Sequence, residues 1–325
     1  MPFSDVFGHK PILSWLARQV ASGTMSHAYL FLGPEGVGKR FVAQHVAQAM
    51  HCESPVKGEG CGRCVRCQLV TRGQHPDVRL VGVPEDKQQI VIEQIRELQH
   101  WLALTPFHGG RKIAIIDEAD TMQEPAASAL LKTLEEPPPT AILILVASHE
   151  SRLLPTIVSR CTKLHFGPLG TEELRRALEA RQIAPDRAQA VARRAAGRLG
   201  RAIQLAASPA WERTSQVLQD WAATTEQGHL EPTLAGRPRP EVEEALEAIA
   251  AWYHDAVLVQ LGADPALLVY PDHLAETRTL ATRWSLPQLL EAIEQVYQTR
   301  ALVQQRVNSR TAIATLIAKL QPMAR

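Results

Sequence analysis

A short apolar run that ends in a glycine-rich turn, with a helical pattern directly after it, constrains this chain more than any other feature. The run is His27 to Leu32, the turn is Gly33-Pro34-Glu35-Gly36-Val37-Gly38-Lys39, and the helical spacing extends from Lys39 to His51. Strand, G-x-x-x-x-G-K, then helix is the order in which this pattern forms a phosphate cradle. Glycines let backbone N–H groups close around phosphate oxygens, while the helix N-terminus and Lys39 supply positive charge. Gly33, Gly36, Gly38 and Lys39 are therefore candidate nucleotide-binding residues.

Around this turn the first half of the chain alternates apolar runs with helical patterns, which predicts an α/β fold with a parallel sheet covered by helices. Five strands are expected, at His27 to Leu32, Val78 to Val81, Lys112 to Asp117, Ala141 to Ala147 and Thr162 to Phe166. The third and fourth are apolar at successive positions, so both should be buried on two faces and lie inside the sheet. Helices are predicted near Pro11 to Ser22, Lys39 to His51, Ile90 to Leu104 and Ala119 to Leu134, the last stopped by Pro137-Pro138-Pro139. After Pro168 strand signals vanish and the chain reads as all helix. A helix pair from about Thr171 to Ala207 is too small to stand alone and is expected as a lid, residues 167–207, on the domain at 1–166. Residues 208–325 form a third, helical region with a loop at Gly228 to Pro240.

At 325 residues, 45% hydrophobic and 21% charged, the chain has enough apolar mass to bury a core without disulfides, and disorder, collagen and coiled-coil rods are excluded. A formal charge of +1 provides no global field toward nucleic acid or membrane, so any DNA contact must be local or shared with partners. The start, Met1-Pro2-Phe3-Ser4-Asp5, lacks the pattern of a signal peptide, and no apolar window is long enough to span a bilayer, so a soluble cytoplasmic protein without membrane partners is expected. Trp211, Trp221, Trp252 and Trp284 are read as helix-packing residues in preference to base-stacking ones. The pairs Arg175-Arg176 and Arg193-Arg194, with Arg198, are read as solvated lid faces.

One departure, one acidic motif and one insertion qualify the phosphate-site reading. The position after Lys39 normally carries Ser or Thr to ligate Mg²⁺, but here it is Arg40, whose guanidinium cannot coordinate a metal and would repel one. Asp117-Glu118-Ala119-Asp120 has the form of the second phosphate-site motif, with Asp for Mg²⁺ and Glu to orient water. Alternatively these carboxylates cap the next helix, and Arg40 could pair with one of them. Cys52, Cys61, Cys64 and Cys67 are spaced C-x8-C-x2-C-x2-C within an insert at about 51–68. Four thiolates can close a tetrahedral, structural Zn²⁺ site; a redox pair is the rival. His51 and His75 could each replace one ligand, but read more simply as surface histidines.

His27-Ala28-Tyr29-Leu30-Phe31 running into the glycine turn, the four-cysteine insert, Ala129-Leu130-Leu131-Lys132-Thr133-Leu134-Glu135-Glu136-Pro137 and Ser159-Arg160-Cys161 resemble the clamp-loader AAA+ ATPases of bacterial replication. The resemblance covers the whole chain and implies an AAA+ module, a lid and a helical collar. Motor members of that family, gamma and tau, carry Thr or Ser after the lysine and a Gly-x-x-Arg at the lid. This chain has Arg40 and Gly200 there, with Arg201 one step on. The resemblance therefore implies a non-motor subunit of the DNA polymerase III holoenzyme, a DNA-directed nucleotidyltransferase assembly, with little or no ATP turnover of its own. Its implied partners are gamma/tau and delta subunits in a ring, the sliding clamp, and primer-template DNA through the complex. Arg160 is implied as an arginine finger reaching ATP and Mg²⁺ held by a neighbour; the plain alternative is an intramolecular ion pair. Cys161 is then a core residue. An ATP-hydrolysing motor subunit and a branch-migration translocase are the competing readings.

Overall fold

A computed structural model of the chain describes residues 6–84, 86–108, 110–207, 210–227, 234, 236–305 and 307–320. They divide into two compact units, Met1–Arg181 with Ala196–Arg201, and Gln182–Ala195 with Ala202–Arg325. No helix among them is long and apolar enough to cross a membrane.

In the first unit the strands are β1 (Ala28–Leu32), β2 (Val78–Val81), β3 (Lys112–Ile116), β4 (Ala141–Ala147) and β5 (Thr162–His165). They form one parallel sheet in the order β2-β3-β4-β1-β5. The two runs with uninterrupted apolar character, β3 and β4, are interior strands, buried at every position as their sequence requires. Since β1 pairs with β4 and β5 while β2 lies at the far edge, the chain leaves β1 at a point where successive connections diverge, the position at which open α/β sheets place their ligands.

Helices α1 (Lys10–Ser22), α2 (Lys39–His51), α3 (Val65–Thr71), α4 (Ile92–Ala103), α5 (Glu124–Glu135) and α6 (Pro155–Val158) complete this part, and α7 (Thr171–Glu179) follows. Ala28, Leu30 and Leu32 of β1 and Leu143, Leu145 and Ala147 of β4 share one apolar cluster with Ile95, Leu98 and Leu102 of α4 and Leu130 and Leu134 of α5. Leu143→Ala in the middle of this cluster is expected to cost about 2–5 kcal/mol, from lost transfer energy plus a cavity, measurable by urea denaturation of the purified chain.

The single helix predicted from Ala119 to Leu134 is interrupted. A three-residue turn at Ala119–Thr121 comes first, and α5 begins only at Glu124. Pro125 explains the break: it lacks an N–H and its ring would strike the preceding turn, so it fits only in the first turn of α5. Met122 meanwhile bridges Ile90, and the Gln123 amide donates to the Ile90 carbonyl at 3.0 Å, so both predicted helix ends are drawn into extended backbone.

The predicted helix pair between Thr171 and Ala207 is instead three helices, α7, α8 (Pro185–Arg194) and α9 (Leu199–Ala207). Left-handed backbone at Gln182, and at Ala196 with Gly197, separates them.

The second unit contains α10 (Ala210–Gln227), α11 (Arg239–Gln260), α12 (Leu274–Arg283), α13 (Leu286–Gln304) and α14 (Ser309–Leu320). Trp221, Trp252 and Trp284 lie in its core. Trp221 Nε1 donates to the Tyr253 hydroxyl and Trp252 Nε1 to Thr277 Oγ1, at 3.2 and 3.0 Å, so these indoles are packed and satisfied. The Trp211 side chain and most of the loop expected at 228–240 fall outside the described residues. Arg194 corrects one reading: its guanidinium is not on a solvated face but stacks over the Tyr270 ring at 4.5 Å. Arg175 does stay on the surface, paired with Glu172 and Glu179.

Candidate functional site

The glycine turn leaves the carboxyl end of β1 and feeds α2. Gly33, Gly36 and Gly38 have φ of 146°, 78° and 105°, conformations that side-chain-bearing residues rarely adopt. A Cβ on Gly33 would also collide with the Phe166 carbonyl, so glycine there is required twice over. Lys39 opens α2 and is 5% exposed. Its ammonium folds back onto the turn, donating to the Gly33 and Pro34 carbonyls at 2.5 and 2.7 Å. Burial pulls its pKa down, opposed by the carboxylates of Asp117, Asp120 and Glu35.

Two further groups of the chain close on the same turn. His9 places Nε2 3.1 Å from the Val37 carbonyl, and the Gly200 amide donates to the Gly36 carbonyl at 2.8 Å. A Cβ at Gly200 would stand 3.3 Å from the Gly36 Cα, so this approach exploits the missing side chain. The turn's carbonyls at Gly33, Pro34, Gly36 and Val37 are thus all engaged by the protein itself.

Arg40 meets Asp117, as the sequence allowed. Its Nη1 lies 3.3 Å from Asp117 Oδ2, with the arginine side chain 53% and the aspartate 18% exposed. A pair so open to water is worth about 0–1 kcal/mol, so its significance is its position. The guanidinium sits on the carboxylate that would otherwise serve Mg²⁺. The other Asp117 oxygen accepts the Glu118 amide at 3.1 Å. Glu118 has a left-handed φ of 52°, and burial, then Asp117, Glu35 and Asp120, push its carboxyl pKa up. No helix-capping bond involves these residues, which removes the capping alternative: the turn at Ala119–Thr121 has no side-chain cap, and α5 starts beyond it. Asp120 Oδ2 instead accepts the amides of Ser148 and His149 at 3.2 and 3.0 Å, pinning the turn after β4, a tertiary role that no local pattern announces.

Arg160 lies in the turn between α6 and β5. Its Nη2 is 2.7 Å from Glu135 Oε1 at the end of α5, and its Nη1 donates to the Thr156 carbonyl at 3.0 Å. The intramolecular pair weighed from sequence is therefore present in the isolated chain, though both partners are substantially exposed and such a pair is weak. Glu135 could not be singled out beforehand because its relation to Arg160 is tertiary. Cys161 packs against the sheet cluster, and burial pushes its thiol up to about 11.

The four insert cysteines converge. One sulfur from each of Cys52, Cys61, Cys64 and Cys67 lies within 4.8 Å of the others, and none is in a disulfide. The Cys61, Cys64 and Cys67 amides donate to the Sγ of Cys52, Cys61 and Cys64 at 3.2, 3.3 and 3.4 Å. Such N–H···S contacts stabilise thiolates. The amides of Arg63 and Cys64 hold the Cys61 thiol down at about 6, whereas burial pushes Cys52 and Cys67 up. Two sulfurs therefore need a nearby cation to ionise at neutral pH, and the donor set fits a soft or borderline metal ion. His51 and His75 take no part in this quartet. They are also not surface residues, being 4% and 3% exposed.

A family model described as "DNA polymerase III, delta subunit" matches residues 8–170, half of the chain, and one described as "DNA polymerase III, delta subunit, C terminal" matches residues 210–321. A relative named DNA polymerase III subunit delta' from Bacillus subtilis is 28% identical over 320 residues, 95% of each chain. The chain belongs to the DNA polymerase III delta-prime family. The delta' subunit of Pseudomonas aeruginosa is 43% identical over 138 residues, 42% of each chain. The tau subunit of Escherichia coli is 34% identical over 177 residues, 54% of this chain but only 27% of tau. This chain thus spans less than half the length of those two relatives, whereas the likeness to the Bacillus subtilis delta' subunit covers 95% of each chain. The parallel sheet with its phosphate-loop turn, followed by a helical half, is the AAA+ architecture expected of the family.

Proposed function

We propose that this chain is a non-motor, delta-prime-type subunit of the DNA polymerase III clamp loader. It braces a hetero-oligomeric ring with gamma/tau and delta subunits, and helps that ring place the sliding clamp on primer-template DNA. The observation that carries this reading is the Arg40–Asp117 pair, which sets a covalently tethered cation where a hydrolysing site needs an exchangeable Mg²⁺. Lys39 turned onto its own loop and Gly200 seated on Gly36 support it further. Gly33, Gly36, Gly38, Lys39, Arg40, Asp117 and Glu118 then form a degenerate nucleotide site, retained for its shape.

Catalytic influence would be exerted elsewhere. Arg160, exposed in the turn before β5 and held by a weak pair and a surface bond to the Thr156 carbonyl, can be donated to ATP on a neighbouring motor subunit. There its guanidinium fork would stabilise charge developing on the transferring γ-phosphoryl group. Cys52, Cys61, Cys64 and Cys67 would hold one Zn²⁺, whose contribution is structural because four sulfurs leave no position for water. Residues 167–207 serve as lid and 208–325 as collar in this reading.

The test is nucleotide chemistry on the purified chain and on a reconstituted loader. Alone, the chain should show no Mg²⁺-dependent ATP turnover above a Lys39→Ala control; added to gamma/tau and delta, it should complete a complex with clamp-stimulated turnover. Brisk hydrolysis by the isolated chain, abolished in Lys39→Ala, would establish the motor reading that Lys39, Asp117 and Glu118 favour.

A further inference from the structure

A second group of metal-ligating side chains lies outside everything assigned so far. His51 closes α2, while His75 and Asp77 lie just before β2. One ring nitrogen from each histidine and one Asp77 oxygen lie within 4.8 Å of one another, and all three residues are buried. The two imidazoles face each other with centroids 4.3 Å apart. Nε2 of His51 and Nε2 of His75 are both buried with no hydrogen-bond partner. Unpartnered buried nitrogens are costly, and folded proteins seldom keep two side by side. Asp77 accepts the amides of Phe107 and His108 at 2.7 and 3.0 Å, one on each oxygen, which fixes the carboxylate and leaves lone pairs free.

We propose that His51, His75 and Asp77 form a second metal site, for a divalent cation of the zinc class, distinct from the cysteine quartet. Two imidazoles and a carboxylate suit zinc over the harder calcium or magnesium, with a fourth position for water or for His108, whose ring is 5.5 Å from that of His75. The cation gives both orphaned nitrogens a partner and neutralises a buried carboxylate. Its binding has a definite proton balance. His75 Nδ1 now accepts the Asp77 amide at 3.1 Å, so the neutral ring carries its proton on Nε2. Coordination at Nε2 moves that proton to Nδ1 and releases the amide contact.

The site has a clear structural purpose. His51 ends α2 just before the cysteines and His75 follows α3, so a cation between them would tie together the two ends of the segment that carries the quartet.

Zinc alone, titrated into the full-length chain against a chromophoric chelator, tests this. The wild type should retain about two zinc ions per chain after buffer exchange and His75→Phe, which keeps an aromatic ring in the buried position, about one. With Co²⁺ as probe, His75→Phe should keep the sulfur-to-cobalt charge-transfer bands, and Cys64→Ser should lose them while still binding one ion at the histidines. A wild-type chain that saturates with one zinc overturns the proposal without reference to any variant. So does a second equivalent that survives His75→Phe.

Discussion

Arg160→Ala is expected to lower ATP turnover at the adjacent motor site of a reconstituted loader by at least about tenfold, the lower end of what such arginines supply being larger still. The chain itself should stay folded. Arg160 is exposed, its ion pair with Glu135 contributes about 0–1 kcal/mol, and its bond to the Thr156 carbonyl is on the surface, so truncation leaves no buried partner stranded. Arg160→Lys should recover charge but not the planar fork, and should fall between wild type and alanine. Glu135→Gln separates the two roles of the arginine: if Glu135 merely parks the side chain, its neutralisation leaves turnover at or above the wild-type level. The measurement is site-resolved turnover in loaders that carry one variant subunit, with thermal melting of the isolated chain as the folding control. Equal rates for wild type and alanine would remove Arg160 from the chemistry.

The second large effect concerns the insert. Cys64→Ser is expected to abolish metal retention at the quartet and to open residues 52–67 to protease, while the sheet survives. The loss should be several kcal/mol, less than the about 10–16 kcal/mol found for zinc-finger peptides that depend on the ion for their whole fold. The difference follows from where the core lies: β3 and β4 are buried at every position by apolar packing in which the cysteines take little part. Burial pushes the Cys52 and Cys67 thiols up, so without a cation nothing draws the four sulfurs together. Metal analysis beside limited proteolysis decides this. An insert equally resistant with and without Cys64 would show that the sulfurs do not fasten it.

Most of the sheet could be read from the sequence, because strands buried on both faces have little choice of composition; β4 starts and ends where its apolar run does, and the partly exposed edge strand β2 keeps its expected bounds. The helix break before Pro125 was also written in the residues, yet periodicity alone overrode it, and only the Ile90–Met122 bridge shows why the interruption is tolerated. Arg40 and Asp117 could be linked beforehand because each occupies a motif position whose neighbours in space are fixed by the fold. The tertiary partners of Asp120, Glu135, His75 and Asp77, by contrast, follow from no motif spacing. Their roles arise from pairings between elements distant in the chain, and nothing in local spacing distinguishes a buried, unpartnered histidine from a solvated one.

Magnesium arrives with a nucleotide and leaves with its products, so a cradle that relies on it alternates between two charge states. The guanidinium beside Asp117 is bonded to α2 and never departs. In the reading proposed above, this cradle would keep one electrostatic state while its neighbours cycle, with no chemical event of its own to drive a rearrangement. On that proposal, in an assembly whose other members change shape as they turn over fuel, such a chain would be the fixed point against which their movements are registered.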